Sequence, residues 1–137
     1  MKWWVYALLS ALFASLTAIF AKKGIAGIDS DLATAIRTVI ILILAWAIVF
    51  WKGTANPAGL TKENWLFLVL SGLATGCSWI FYFKALQAGK ASQVAPIDKL
   101  SVALTILLSA IFLGEALTWK TLIGAGLIIS GSFILIL

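Results

Sequence analysis

The sequence predicts an all-α integral membrane protein with five transmembrane helices, and three observations predict it. Apolar residues make up 63% of the 137-residue chain and charged residues only 11%, too little polar surface to cover a soluble domain of this size. The apolar residues gather into runs at 3–21, 32–51, 65–83, 94–113 and 121–137, each of a length that a bilayer selects for helices. The connections between the runs are short and rich in charge, glycine or proline, which leaves no room for a soluble domain. A single domain, 1–137, is expected.

The first run opens with Lys2, Trp3 and Trp4. A short basic start before an apolar stretch resembles a signal peptide, but the length of the run and the interfacial tryptophans favour a first span. The second run follows Asp29-Ser30-Asp31, a good N-cap signal. It carries Arg37 about 8 Å from its expected start at Leu32. An arginine at that depth either snorkels to the interface or faces the bundle as a functional cation that takes a partner. The loop at 52–64, with Gly53, Asn56-Pro57 and Gly59, is the one connection with room for a small excursion.

In the third run Gly72 and Gly76 have GxxxG spacing, and Trp79 and Phe83 continue the same stripe. The glycines mark close helix packing. Trp79 and Tyr82 either line a substrate cavity or fill the bundle. Gly89 reads as a helix stop, so the third helix continues through Lys84 to Ala88.

The fourth run holds the most costly group of residues, Pro96, Asp98 and Lys99, within its first turns. Pro96 lacks an N–H for the carbonyl of Ser92. Two local arrangements follow: Ser92 caps a helix whose first turn is irregular, or the regular helix begins at Pro96. Both place Asp98 and Lys99 near a helix N-terminus. Asp98, Ser101, Thr105 and Ser109 then form a polar stripe down an apolar helix. Its hydroxyls either bond to their own helix or its neighbours, or line a water-filled path. Gly114, Glu115 and Thr118 make a tight turn into the fifth run, where Gly124 and Gly131 share a face.

Histidine is absent and Cys77 is the only cysteine, so no Cys/His metal site, disulfide or cofactor is expected. No nucleophile–base pair points to an enzyme. The net charge of +5 is spread among the loops, so no nucleic-acid surface is indicated. With five spans, Lys2, Lys52, Lys62 and Lys120 fall on one side and Lys22, Lys23, Lys84 and Lys90 on the other, an even balance that sets no orientation. Such a chain can insert both ways and pair antiparallel. Two inverted copies would also carry the belt of Trp3, Trp4, Trp51, Trp65 and Trp119 to both interfaces. Sliding the chain so that Leu9 meets Leu70 also aligns Ser10, Ile19, Phe20 and Lys23 with Ser71, Ile80, Phe81 and Lys84. This echo makes helices 1–2 and 3–4 two copies of one hairpin and lays Arg37 on Asp98.

The stretch ALQAGKASQVAPIDKLSVALTILLSAIFLGEALTWKTLIGAGLIISG resembles the EamA-type repeat of the drug/metabolite transporter superfamily. The shared features are the VAP-I-x-x-L-S start of the fourth helix, the LGE-x-LT turn and the glycine-rich fifth helix. The resemblance implies one inverted-repeat unit of that transporter fold, a half-size member in the inner or plasma membrane of a bacterium or archaeon. It also implies alternating access, with substrate held between two repeats. The similar small multidrug-resistance pumps carry an essential acidic residue in the first helix, and none stands here, which counts against a small multidrug exporter.

The function expected is secondary transport of a small polar metabolite, anionic or zwitterionic and amino-acid-like, by an antiparallel homodimer. Arg37, Trp79, Tyr82, Asp98, Lys99, Ser101 and Thr105 are the candidate substrate-binding residues. Gly72, Gly76, Gly124 and Gly131 are the candidate packing positions, and Pro96 the helix break. The alternatives are an accessory or lipid-linked-sugar flippase subunit acting with another half-size chain, and a small multidrug exporter.

Overall fold

The computed structural model describes residues 2–137. Its helices are α1 (Trp3–Gly24), α2 (Ser30–Trp51), α3 (Lys62–Ala88), α4 (Ala91–Asp98), α5 (Leu100–Phe112) and α6 (Trp119–Ile134). A short 3₁₀ turn, Pro57–Gly59, precedes α3, and no strand occurs among the described residues. Each of α1, α2, α3 and the combined segment Ala91–Phe112 is long and apolar enough to cross a membrane. At 16 residues α6 is shorter, rising about 24 Å against a hydrocarbon layer of about 30 Å. The chain divides into two units, one containing residues up to Ile19 together with Ala88–Leu137, the other Phe20–Gln87.

In the unit Phe20–Gln87, Asp29 caps α2 as its sequence signal predicts. Its carboxylate accepts the backbone N–H groups of Asp31 and Leu32, both at 3.0 Å, satisfying donors that a helix start leaves without partners. The helix therefore begins at Ser30, two residues before the apolar run. The loop of residues 52–61 contains the expected excursion. Gly53 turns the chain at φ +65°, and the Asn56 side chain accepts the Ala58 N–H at 3.0 Å to start the 3₁₀ turn. Burial concentrates where α1 ends, α2 begins and α3 ends: Ile25, Ser30, Thr34, Phe83 and Leu86 are buried there, Leu86 completely. Polar side chains tie the same place together. Lys22 donates to the carbonyl of Leu86, Gln87 donates to that of Ile28 at 2.9 Å, and Asp31 pairs with Lys84 at 3.1 Å.

In the other unit, α4, α5 and α6 pack on one another, and the region around Pro96 differs from both arrangements expected of it. Ser92 is not a cap, and Pro96 does not begin a helix: α4 starts at Ala91 and Pro96 lies inside it. A break in the helix lies downstream of Pro96. The N–H of Lys99 is shared between the carbonyls of Ala95 (3.3 Å) and Pro96 (3.1 Å), the helix ends at Asp98, and a second helix begins at Leu100. Asp98 thus closes one helix and Lys99 joins it to the next, so neither stands in the first turn of a helix. The break is mild, because Lys99 keeps right-handed helical angles (φ −69°, ψ −10°) and donor sharing tightens the turn without reversing it. The Ser132 hydroxyl of α6 donates to the Pro96 carbonyl at 2.9 Å, fastening α6 across the break. Gly114, at φ +67°, ends α5 in a conformation that suits a residue without a Cβ. Thr118 then caps α6 by accepting the Thr121 N–H at 3.2 Å.

The tryptophans expected at an interface are exposed, with Trp3 at 80%, Trp51 at 89% and Trp119 at 75%. Among the described residues of its own unit, a Cβ at Gly72, Gly76, Gly124 or Gly131 would meet nothing within 4 Å.

Candidate functional site

The arrangement with the clearest chemistry lies on α2 and α3. Ser30, Thr34 and Arg37 recur at i, i+4 and i+7, and this spacing puts them on one face of α2. Trp79 and Phe83, at i and i+4, share a face of α3. The two faces meet: the guanidinium carbon of Arg37 lies 4.3 Å from the centre of the Trp79 ring and 5.1 Å from that of Phe83. The Tyr82 ring stands edge-on beside Phe83, with centroids 6.4 Å apart. Phe83 is only 2% exposed, so the aromatic wall is held rigidly where the cation rests on it.

An aromatic face attracts a cation through its quadrupole, by about 0.5–1 kcal/mol at exposed sites and about 2 kcal/mol where water is excluded. This attraction holds Arg37 without neutralising it. The two ion pairs among the described residues are Asp31–Lys84 at 3.1 Å and Asp98–Lys99 at 3.5 Å, and Arg37 is in neither. Of the two roles open to it, the arginine here lies against the rings of α3. The neighbouring hydroxyls do not compete for an anion. Thr34 donates to the Ser30 carbonyl and Thr38 to the Thr34 carbonyl, both at 2.8 Å, so their protons are committed to the helix.

The remaining candidates lie in the unit that contains α4 to α6. Asp98 pairs with its neighbour in sequence, Lys99. Thr105 donates to the Ser101 carbonyl at 2.8 Å and Ser109 to that of Ile106 at 3.0 Å, so these two hydroxyls of the polar stripe bond to their own helix. The break at Lys99 also separates Asp98 from the rest of that stripe.

Phe83 and the Asp31–Lys84 pair are absent from the sequence-derived set. The i, i+4 spacing to Trp79 signals Phe83, whereas nothing in the sequence tells which face of α3 meets Arg37.

A helical architecture in which four helices are long and apolar enough to cross a membrane defines a multi-pass membrane protein. The chain belongs to the EamA-like transporter family, whose model matches residues 1–137. It is 50% identical over 135 residues to a protein of Sinorhizobium sp. described as an uncharacterized transporter in the cobO 3′ region, covering 98% of this chain and 96% of that one. It is 31% identical over 125 residues to a riboflavin transporter of Rhizobium johnstonii, covering 90% of this chain and 40% of that protein. It is 30% identical over 127 residues to the uncharacterized transporter YvbV of Bacillus subtilis, of which it covers 41%. No solved structure matches the chain. The chain is therefore a multi-pass membrane protein of a transporter family, similar along nearly its whole length to a small transporter and to less than half of longer ones.

Proposed function

We propose that the protein is a secondary transporter of a small polar metabolite, anionic or zwitterionic, which works by alternating access as an antiparallel homodimer. The observation that carries this reading is Arg37, a cation within a membrane-spanning helix, stacked on Trp79 and Phe83 and outside both ion pairs. Such a group is costly in lipid unless a partner uses it, and the partner proposed is the substrate. Asp98 and Lys99 supply a second, mutually paired set of charges in the other unit. The likeness to a riboflavin transporter supports the carriage of organic solutes by this fold. The even lysine balance and the open glycine faces support pairing with an inverted copy.

Exchange of labelled solute by proteoliposomes tests the reading. Carboxylates and amino acids offered in turn should show saturable counterflow that falls when Arg37 and Lys99 are neutralised; counterflow untouched by both changes excludes it. The dimer has its own test. With Cys77 replaced by serine and one cysteine placed in the 53–61 loop, an impermeant thiol reagent should label about half the molecules in intact cells, as dual topology requires. All-or-none labelling rejects the antiparallel homodimer.

A further inference from the structure

We infer that the Asp31–Lys84 ion pair and the Gln87–Ile28 hydrogen bond are a latch, which holds the start of α2 against the end of α3 in one state of the protein and releases it in another. The inference rests on the alternating-access reading and deepens it by naming the end of the α2–α3 pair that is shut here.

The facing stripes of the two helices are closed at one end only. On α2, Ser30, Thr34, Arg37, Ile41, Leu44 and Ile48 follow one face. They pass from buried at Ser30 and Thr34, through half-buried at Arg37 and Ile41, to exposed at Leu44 and Ile48. The stripe on α3 tapers in the same direction in space: Leu86 and Phe83 are buried, Trp79 and Gly76 half-buried, and Gly72 exposed. Two helices packed along their whole length would bury such stripes evenly. These two are joined at the Ser30–Leu86 end, and burial fades beyond the stack of Arg37 on Trp79.

The joined end combines a dry part with a wet one. Ile25, in the turn after α1, is buried along with Phe83 and Leu86, and this apolar burial makes the joined state the resting one. The ties beside it are polar and reach water: both partners of Asp31–Lys84 are about half exposed, and Gln87 donates to the Ile28 carbonyl from an exposed position. Water replaces such ties when they part, so each contributes little. A latch between two states needs that property, since a tie of large energy would fix one state for good.

The test reads the distance between the two helix ends. With Cys77 replaced by serine, nitroxide labels are placed through Leu32→Cys and Ala85→Cys, both at exposed positions. Double electron–electron resonance is then recorded on the purified full-length protein, diluted with unlabelled protein so that only distances within one chain count. Two discrete distances are expected, the shorter one dominant. Asp31→Asn should raise the longer population by about two- to fivefold, the scale of an exposed ion pair. Adding Gln87→Ala should raise it by about tenfold in all. Exchanging the charges, Asp31→Lys with Lys84→Asp, should restore the original ratio. Raising sodium chloride from about 0.05 M to about 1 M screens the pair and should raise the longer population with Asp31 in place but not in Asp31→Asn. That comparison needs no altered pair to fold. The inference is overturned by a single distance throughout, by populations indifferent to Asp31→Asn and to salt, or by no rescue on exchange. Because the measurement needs no transport, the two readings separate. Two salt-sensitive populations without counterflow support the latch and count against transport. Counterflow with one fixed distance overturns the latch and leaves transport standing.

Discussion

The two units meet the same difficulty, charge inside an apolar chain, in opposite ways. On α4 and α5 the polar groups are satisfied close to home: Asp98 by Lys99, Thr105 and Ser109 by carbonyls of their own helix. Between α2 and α3 the charge of Arg37 is held by aromatic faces, which attract a cation and neutralise nothing. A mutually paired couple carries no net charge, whereas a cation beside aromatic rings keeps its own. The contrast teaches that depth in a span does not by itself say how a charge is accommodated: one unit cancels its charge locally and the other holds it against rings.

The comparison is broken or sharpened most strongly by neutralising each charge in turn. Arg37→Gln should reduce solute exchange by about tenfold or more, the scale of a lost charged hydrogen bond. Asp98→Asn should reduce it by no more than about threefold, the scale of a partly exposed pair. Equal losses in proteoliposomes would erase the distinction between the units. Next in size comes the bond across the helix break. Ser132→Ala should lower stability by about 1 kcal/mol, read as an earlier midpoint in an SDS titration. Thr105→Ala, which removes a bond within one helix, should leave that midpoint nearly unmoved. In the same titration Asp29→Ala should cost about 0.7 kcal/mol through loss of the α2 cap. A smaller effect than the cap's is expected at Asp31→Asn, under about 0.5 kcal/mol, because both partners are about half exposed (52% and 51%). A larger loss there would mean that Asp31–Lys84 is more than a surface pair.

Much of this was legible before any coordinates, for identifiable reasons. The bilayer fixes a helix length, so hydropathy places the spans, and the Asp29 cap and the Gly114 turn follow from local chemistry alone. The extension of α3 to Ala88 follows from Gly89 in the same way. Pro96 was harder. Counting the missing N–H points upstream to Ser92, whereas the helix breaks downstream, where Lys99 shares its donor and Ser132 reaches over from α6. The second of these is a contact between helices, which spacing along one helix does not contain. Arg37 shows the same limit: its depth is written in the sequence, and the identity of the rings beneath it is not.

The hydroxyl bonds bear on how the chain is made as well as how it rests. Ser15, Thr17, Thr75, Thr105 and Ser130 each donate to a carbonyl three or four residues back in their own helix. Those hydroxyls are already provided for when a lone helix leaves the insertion machinery, with no neighbour yet present. Ser132 is different, because its acceptor belongs to α4. α6 thus carries a polar group whose recorded partner is found only after it has packed on α4, the step that fastens it across the break at Lys99.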